Sequence, residues 1–323
     1  MLEKNICSLA KEYLILVGAL GFWGMTLAIV DVRAAFVAAP VASRNLAVQG
    51  LRGMAALAVM LFHANFSRAS TWPFDEHFGY LGVAVFFAIS GMLMASILPR
   101  TEPWRFLSHR IVRIYPLYLL LVAIALAGLQ KYLVPIACAW LVAIAAAQLT
   151  PGWNGMALPV GPSILFNVPS AAFAGGLLVP TLARRVPIGL SVVAIAVCFL
   201  FWPETVSARY WVVSVAATFL VLDVSRLRVA APGLATLGDW SYALYLCHFP
   251  AFVVAQYLAP GAPLLAGLLG AFGAAAIFGT LDVWLYAHLK TEVDRFSDEL
   301  RKRSVLWYLA IFSAAIPAAL VIP

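Results

Sequence analysis

Long apolar runs follow one another along almost the whole chain, separated by short polar interruptions. A helix that crosses a membrane needs about 20 mostly apolar residues, because it must cover roughly 30 Å of hydrocarbon at 1.5 Å per residue. Runs of that kind occupy 13–30, 46–65, 79–98, 112–129, 132–149, 163–180, 187–203, 208–222, 240–257, 263–285 and 304–321, and each predicts a helix. The connections carry proline, glycine and charge, as in LPRTEPWRFLSHR and VPTLARRVP. The first run follows MLEKNICSLAKEY without a small-residue cleavage site, so it is expected to be a retained span and not a signal peptide.

Composition sharpens this reading. Of 323 residues, 64% are hydrophobic and 11% charged, against about a quarter charged in soluble domains, and the mean hydropathy is +0.96. The expected fold is all-α: a polytopic integral membrane helical bundle of about ten transmembrane helices (nine to eleven). It is read as a single membrane domain over 1–323. The formal charge of +7 does not point to nucleic acid, because the basic residues flank the apolar runs, where anionic lipid and the positive-inside bias place them. The expected partner is therefore the lipid bilayer. The four cysteines form no CxxC pair, and three of them lie in apolar runs, where they act as small hydrophobes.

Charge also orders the spans. Arg100, Arg105, Arg110 and Arg113 mark one connection as cytoplasmic, as do Arg184 with Arg185, Arg226 with Arg228, and the stretch 288–303. Arg52 then lies near the cytoplasmic end of its helix and His63 toward the far side. Three apolar runs separate Arg113 from Arg184, where two same-side ends demand an even number. One run within 114–180 is thus expected to be re-entrant, or two form one broken segment, which gives ten crossings with both termini outside. A bacterial inner membrane is the expected location.

Ionisable groups within spans are costly and mark candidate chemistry. In LRGMAALAVMLFH, Arg52 and His63 stand eleven residues apart, about 16 Å along a helix and only about 20° around it. An arginine suits a phosphate-bearing ligand and a near-neutral imidazole suits proton transfer; a snorkelling arginine and a structural histidine fit the same spacing. In LGDWSYALYLCHFP, Ser241, Tyr245 and His248 share one helical face, with Asp239 placed to cap the helix start. That face either lines a ligand cavity or zips two helices together. Arg110 and Arg113 in HRIVRIYP either hold phosphate or anchor the helix at the interface. Ser90 and Gly91 in VAVFFAISG add a hydroxyl and a point of close approach. No metal motif, GxSxG, P-loop or glycine-rich dinucleotide turn is present.

Taken in order, these segments resemble the membrane-bound acyltransferase family 3, whose members O-acylate surface and exported polysaccharides. GLRGMAALAVMLFH resembles the opening arginine–histidine motif, LGVAVFFAISGMLMA the second-helix motif, HRIVRIYPLY the third and LGDWSYALYLCHFP the late one. Glu292 in YAHLKTEVDRF falls where the family carries Glu-x-Pro. The resemblance spans about 46–296, with the runs near 13–30 and 304–321 outside that core. It implies transfer of an acyl group, acetyl by default, from cytoplasmic acyl-coenzyme A to a hydroxyl of a polysaccharide or its lipid-linked precursor. His63 becomes the expected catalytic base, and Arg52, Arg110 and Arg113 the expected coenzyme A phosphate contacts. Ser90, Gly91, Ser241, Tyr245, His248 and Glu292 are the cavity candidates. No permanently bound cofactor or metal is implied, and polysaccharide biosynthesis or export proteins are the implied partners.

The sequence also departs from the family pattern. Gln49 replaces an aspartate, Asp294 replaces the proline, and Ala172 stands about where a glutamate belongs. With the chain ending at 323, no attached SGNH-hydrolase domain is expected. The vacant glutamate keeps open an alternative: a non-catalytic transporter or sensor of polysaccharide or acylated lipid units.

Overall fold

The structure is a computed structural model, and it describes residues 45–67, 76–97, 101–102, 104–105, 132–148, 167–227, 232–307 and 310. Among these there is no strand. The helices are α1 (Leu46–His63), continued by a 3-10 turn (Ala64–Ser67), α2 (Glu76–Ile97), α3 (Leu133–Gln148), α4 (Pro169–Leu182), α5 (Leu190–Leu200), α6 (Val206–Arg226), α7 (Pro232–Leu258) and α8 (Pro263–Arg295). A further helical stretch covers 298–307. The expected spans 13–30 and 112–129, most of 304–321, and the residues Arg110 and Arg113 lie outside the described residues.

Four of these helices, α1, α2, α6 and α8, are long and apolar enough to cross a membrane, and α3, α4 and α5 are shorter apolar helices. The protein is thus an all-α membrane helical bundle. Several helices overrun their apolar stretches. α7 starts eight residues before the predicted span and α8 continues ten residues past it, into LKTEVDR. Leu, Lys, Glu and Arg are strong helix formers, so nothing ends the helix where hydrocarbon would end. α5 is the reverse case. At 11 residues it reaches only about 16 Å, and it starts after Gly189, whose left-handed backbone (φ 104°) breaks the chain out of the preceding turn.

The packing inverts the soluble pattern. Small residues such as Ala56, Ala88, Ala172, Ala217, Ala271 and Ala275 fill the interior, while Val192, Leu200, Leu265, Leu269 and Ile277 face outward. In lipid the outward aliphatics lose nothing, and association depends on close van der Waals contact between small residues. One apolar cluster joins α1, α2, α4, α5 and α6. A second joins α2, α3 and α4, and a third joins α1, α7 and α8 around Met60, Leu244, Phe252 and Ala271. α1 and α2 therefore sit centrally.

Polar contacts fix which helix ends lie together. Arg226 at the end of α6 donates to Ala183 O (2.9 Å) and Val186 O (2.8 Å), just past the end of α4. Asp223 accepts from Gly189 N (3.0 Å), Ser191 N (3.1 Å) and Ser191 Oγ (2.6 Å), capping α5 from another helix. Arg105 pairs with Asp294 at 2.9 Å, joining the connection after α2 to the end of α8. At the opposite end, Ser207 Oγ donates to Gln148 Oε1 (3.0 Å), joining the end of α3 to the start of α6. α3 and α4 are thus an antiparallel pair, and the basic connections after α2, after α4 and after α6 share one end of the bundle. That is the parity the charge pattern demands.

Candidate functional site

α1 and α7 run parallel and approach each other unusually closely. A Cβ on Gly53 would lie 2.7 Å from Gly238 N, and one on Gly238 would strike Gln49 O. Only hydrogen fits at both positions, so the two backbones meet directly. Beside this contact Gln49 Nε2 donates to Asp239 Oδ1 at 3.1 Å. Gln49 therefore serves as a donor in the position where the resemblance leads one to expect an aspartate, and two carboxylates side by side are avoided.

Farther along the same pair, His248 Nε2 lies 3.0 Å from His63 Nδ1, with ring centroids 4.9 Å apart. His63 Nδ1 also lies 2.9 Å from Val59 O, and His248 Nδ1 lies 3.0 Å from Leu244 O. A carbonyl only accepts, so each neutral imidazole is assigned a proton on Nδ1. His248 Nε2 is then an acceptor, and the His63 Nδ1–H is shared between it and Val59 O. The lone pair of His63 falls on Nε2. His248 is buried while His63 is half-buried. Phe62 and Phe249 pack edge-on against the His63 ring at 5.0 and 5.9 Å.

Tyr245 joins this pair, with its ring 5.9 Å from His248 and 5.8 Å from Phe86 of α2. Ser90 lies one turn beyond Phe86 on the same face of α2, and it is half-buried. The other sequence candidates lie elsewhere. Ser241 is fully buried and donates to Gly238 O at 2.7 Å, within its own helix. Gly91 sits where α2 meets α4, and a side chain there would strike Phe173 O. Arg52 stands near the Gly53–Gly238 contact, about three helical turns from His63. Glu292 pairs with Arg295 at 2.6 Å on an exposed surface of α8. It is 17 residues past Ala275, which packs with Met60 and Ala64, so about 25 Å of helix separates it from the His63 level. Among the described residues no three His, Cys, Asp or Glu side chains converge as a metal site.

Residues 45–163 match a protein family described as an acyltransferase domain. A Komagataeibacter xylinus protein named as a membrane-bound transacylase, BcsY, is 36% identical over 90 residues, which are 27% of this chain and 21% of that protein. Over these stretches the chain is similar to acyltransferases. The chain spans about a fifth of the length of the curated relative it matches. No solved structure matches. The family match includes Arg52 and His63 but ends before α7, so it is the fold that brings His248 to His63.

Sequence reasoning missed the Glu76–Arg209 pair and the capping role of Asp223. Glu76 Oε2 and Arg209 Nη1 are 2.7 Å apart, and Trp202 Nε1 donates to Glu76 Oε1 at 2.8 Å. The available signal was position: Glu76 and Asp223 are acids at the margins of apolar runs. Their partners, 133 and 32 residues away, could not be read from spacing.

Proposed function

We propose that the protein transfers an acyl group from acyl-coenzyme A to a hydroxyl of a cell-surface or exported saccharide or its lipid-linked precursor, with His63 as the base. The observation that carries this reading is the His63–His248 pair, in which His63 shares a helix with Arg52 within the stretch that matches an acyltransferase domain. Acetyl is the group the resemblance implies.

His63 Nε2 takes the proton of the acceptor hydroxyl as that oxygen attacks the thioester carbonyl carbon. The carbon–sulfur bond then breaks, and the coenzyme A thiolate leaves with the proton returned from His63. His63 becomes cationic in between, and its Nδ1–H faces two acceptors, Val59 O and His248 Nε2, that stabilise the charge. His248 is thus a positioning residue. With its Nδ1–H committed to Leu244 O, the oxyanion donors fall to Tyr245 and Ser90. Donor phosphates belong at the basic end with Arg52, with Arg110 and Arg113 as further contacts expected from the sequence pattern, and the thioester threads along α1 toward His63.

The test supplies radiolabelled acetyl-coenzyme A to membranes containing the wild type or His63→Ala. Label should appear in a lipid or saccharide fraction with the wild type and vanish with the variant at equal protein level. Transfer that persists in the variant would sink the role of His63. One observation favours a second reading, a non-catalytic transporter or sensor: Ala172 is fully buried among Ala88, Ile89 and Met92, so no carboxylate occupies that place. Under that reading neither protein consumes acetyl-coenzyme A.

A further inference from the structure

Tyr245 is 36% exposed, and the rest of its ring packs within the bundle. Its ring packs against His248 on its own helix and Phe86 on α2, and it stands within electrostatic reach of Tyr210 on α6. These contacts turn the ring toward α2 and toward the His63–His248 pair.

From Tyr245 a row of phenols leads outward. Tyr210 lies edge-on to Tyr80 with centroids 4.6 Å apart. Tyr80 also lies 5.9 Å from Trp202, whose Nε1 donates to Glu76, and Glu76 pairs with Arg209 at the start of α2. The Glu76 side chain is 37% exposed and that of Arg209 20%, so the pair is held rigidly but still reachable from water. It marks the end of α2 and α6 opposite to Arg226 and the Arg105–Asp294 bridge.

The geometry points to an acceptor entry route along this row, from the Glu76–Arg209 rim past Tyr80 and Tyr210 to Tyr245 and His63, fitted to a saccharide. Sugars present dense arrays of hydroxyls beside apolar C–H faces. Phenols offer both a hydroxyl and a flat apolar face, and a fixed carboxylate–guanidinium pair offers acceptors and donors at one point. An acyl chain or a sterol would find too many polar groups here, and a polyphosphate would meet Glu76. The inference rests on the acyltransferase reading above, and it places the acceptor at the opposite end of the bundle from the donor.

Two measurements test it. Tyr80→Phe and Tyr210→Phe are assayed with acetyl-coenzyme A and with graded amounts of the saccharide fraction that wild-type membranes label. Each should raise the acceptor KM by about tenfold with donor KM unchanged, as the loss of a hydrogen bond to substrate predicts. In a cysteine-free background, Tyr245→Cys should react with a membrane-impermeant maleimide far faster than Leu269→Cys, which faces outward on α8. Wild-type transfer with unchanged acceptor KM in both phenylalanine variants would overturn the entry route alone. Tyr245→Cys reacting no faster than Leu269→Cys would also overturn it. Wild-type membranes that transfer nothing would instead overturn the acyltransferase reading beneath it.

Discussion

The two ends of the bundle use polar residues in different proportions: more of them hold helix termini at one end, and more of them meet each other at the other. At the basic end, beside the side-chain pairs Arg105–Asp294 and Gln49–Asp239, Arg226 and Asp223 spend most of their hydrogen bonds on backbone groups at the α4–α5 turn. The charges there serve helix termini that would otherwise be left unsatisfied in a poor solvent. At the other end, polar side chains engage one another: His63 with His248, Glu76 with Arg209 and Trp202, Tyr80 with Tyr210. Side chains that satisfy one another can be rearranged by a ligand, whereas side chains that satisfy the backbone cannot without unravelling a helix. Chemistry is therefore expected at the second end and stability at the first.

The strongest way to break this contrast is at His63. His63→Ala should lower transfer by about a hundredfold to ten-thousandfold, the usual loss for a general base, without changing the thermal unfolding midpoint in detergent by more than a few degrees. A large fall in midpoint with activity preserved per folded molecule would reverse the assignment. His248 comes next. His248→Ala removes one acceptor from the protonated His63, and hydrogen bonds to charged groups are worth about 1.5–3 kcal/mol. A fall in kcat of about tenfold to a hundredfold should follow, with donor KM unchanged. His248→Gln, whose amide oxygen can accept the same proton, should recover part of it. A purely structural histidine would show no such recovery.

How far the sequence reveals this arrangement depends on the range of each interaction. Periodicity and hydropathy expose the helices because both are local, and the predicted runs from 46–65 to 263–285 meet observed helices wherever residues are described. The Arg52–His63 spacing is equally local, since both lie on α1. The pairing of His63 with His248 spans 185 residues, and no residue-level pattern carries it; only the ordered family motifs place the two segments in one protein. Helix ends are poorly legible for another reason. Hydropathy marks where lipid ends, and α8 continues past that point because the helix-forming residues of LKTEVDR do not notice the boundary.

The parallel contact that brings His248 to His63 can itself be tested. Gly238→Ala would drive a methyl group into Gln49 O and push α1 from α7. The expected cost is about 1–3 kcal/mol, typical of overpacking, together with reduced transfer because the imidazoles separate. Gly273→Ala on α8, where a Cβ meets nothing within 4 Å, should lose neither. Equal behaviour of the two variants in a thermal unfolding series would show that the close approach does not constrain the site.

The smallest expected effect belongs to the basic end. Asp223→Ala strips three donors at the start of α5 of their shared acceptor, and lost caps cost about 0.5–2 kcal/mol. The cost should be concentrated locally: amides at Gly189 and Ser191 should exchange faster, while those of α1 and α7 keep their protection. Asp223→Asn retains an oxygen acceptor and should lie between wild type and alanine. Transfer per folded molecule should stay at the wild-type level in both, because the α4–α5 turn lies at the far end of α6 from Tyr210. If Asp223→Ala instead abolishes transfer with stability intact, the basic end takes part in the reaction, and the division between a stabilising end and a reactive end fails.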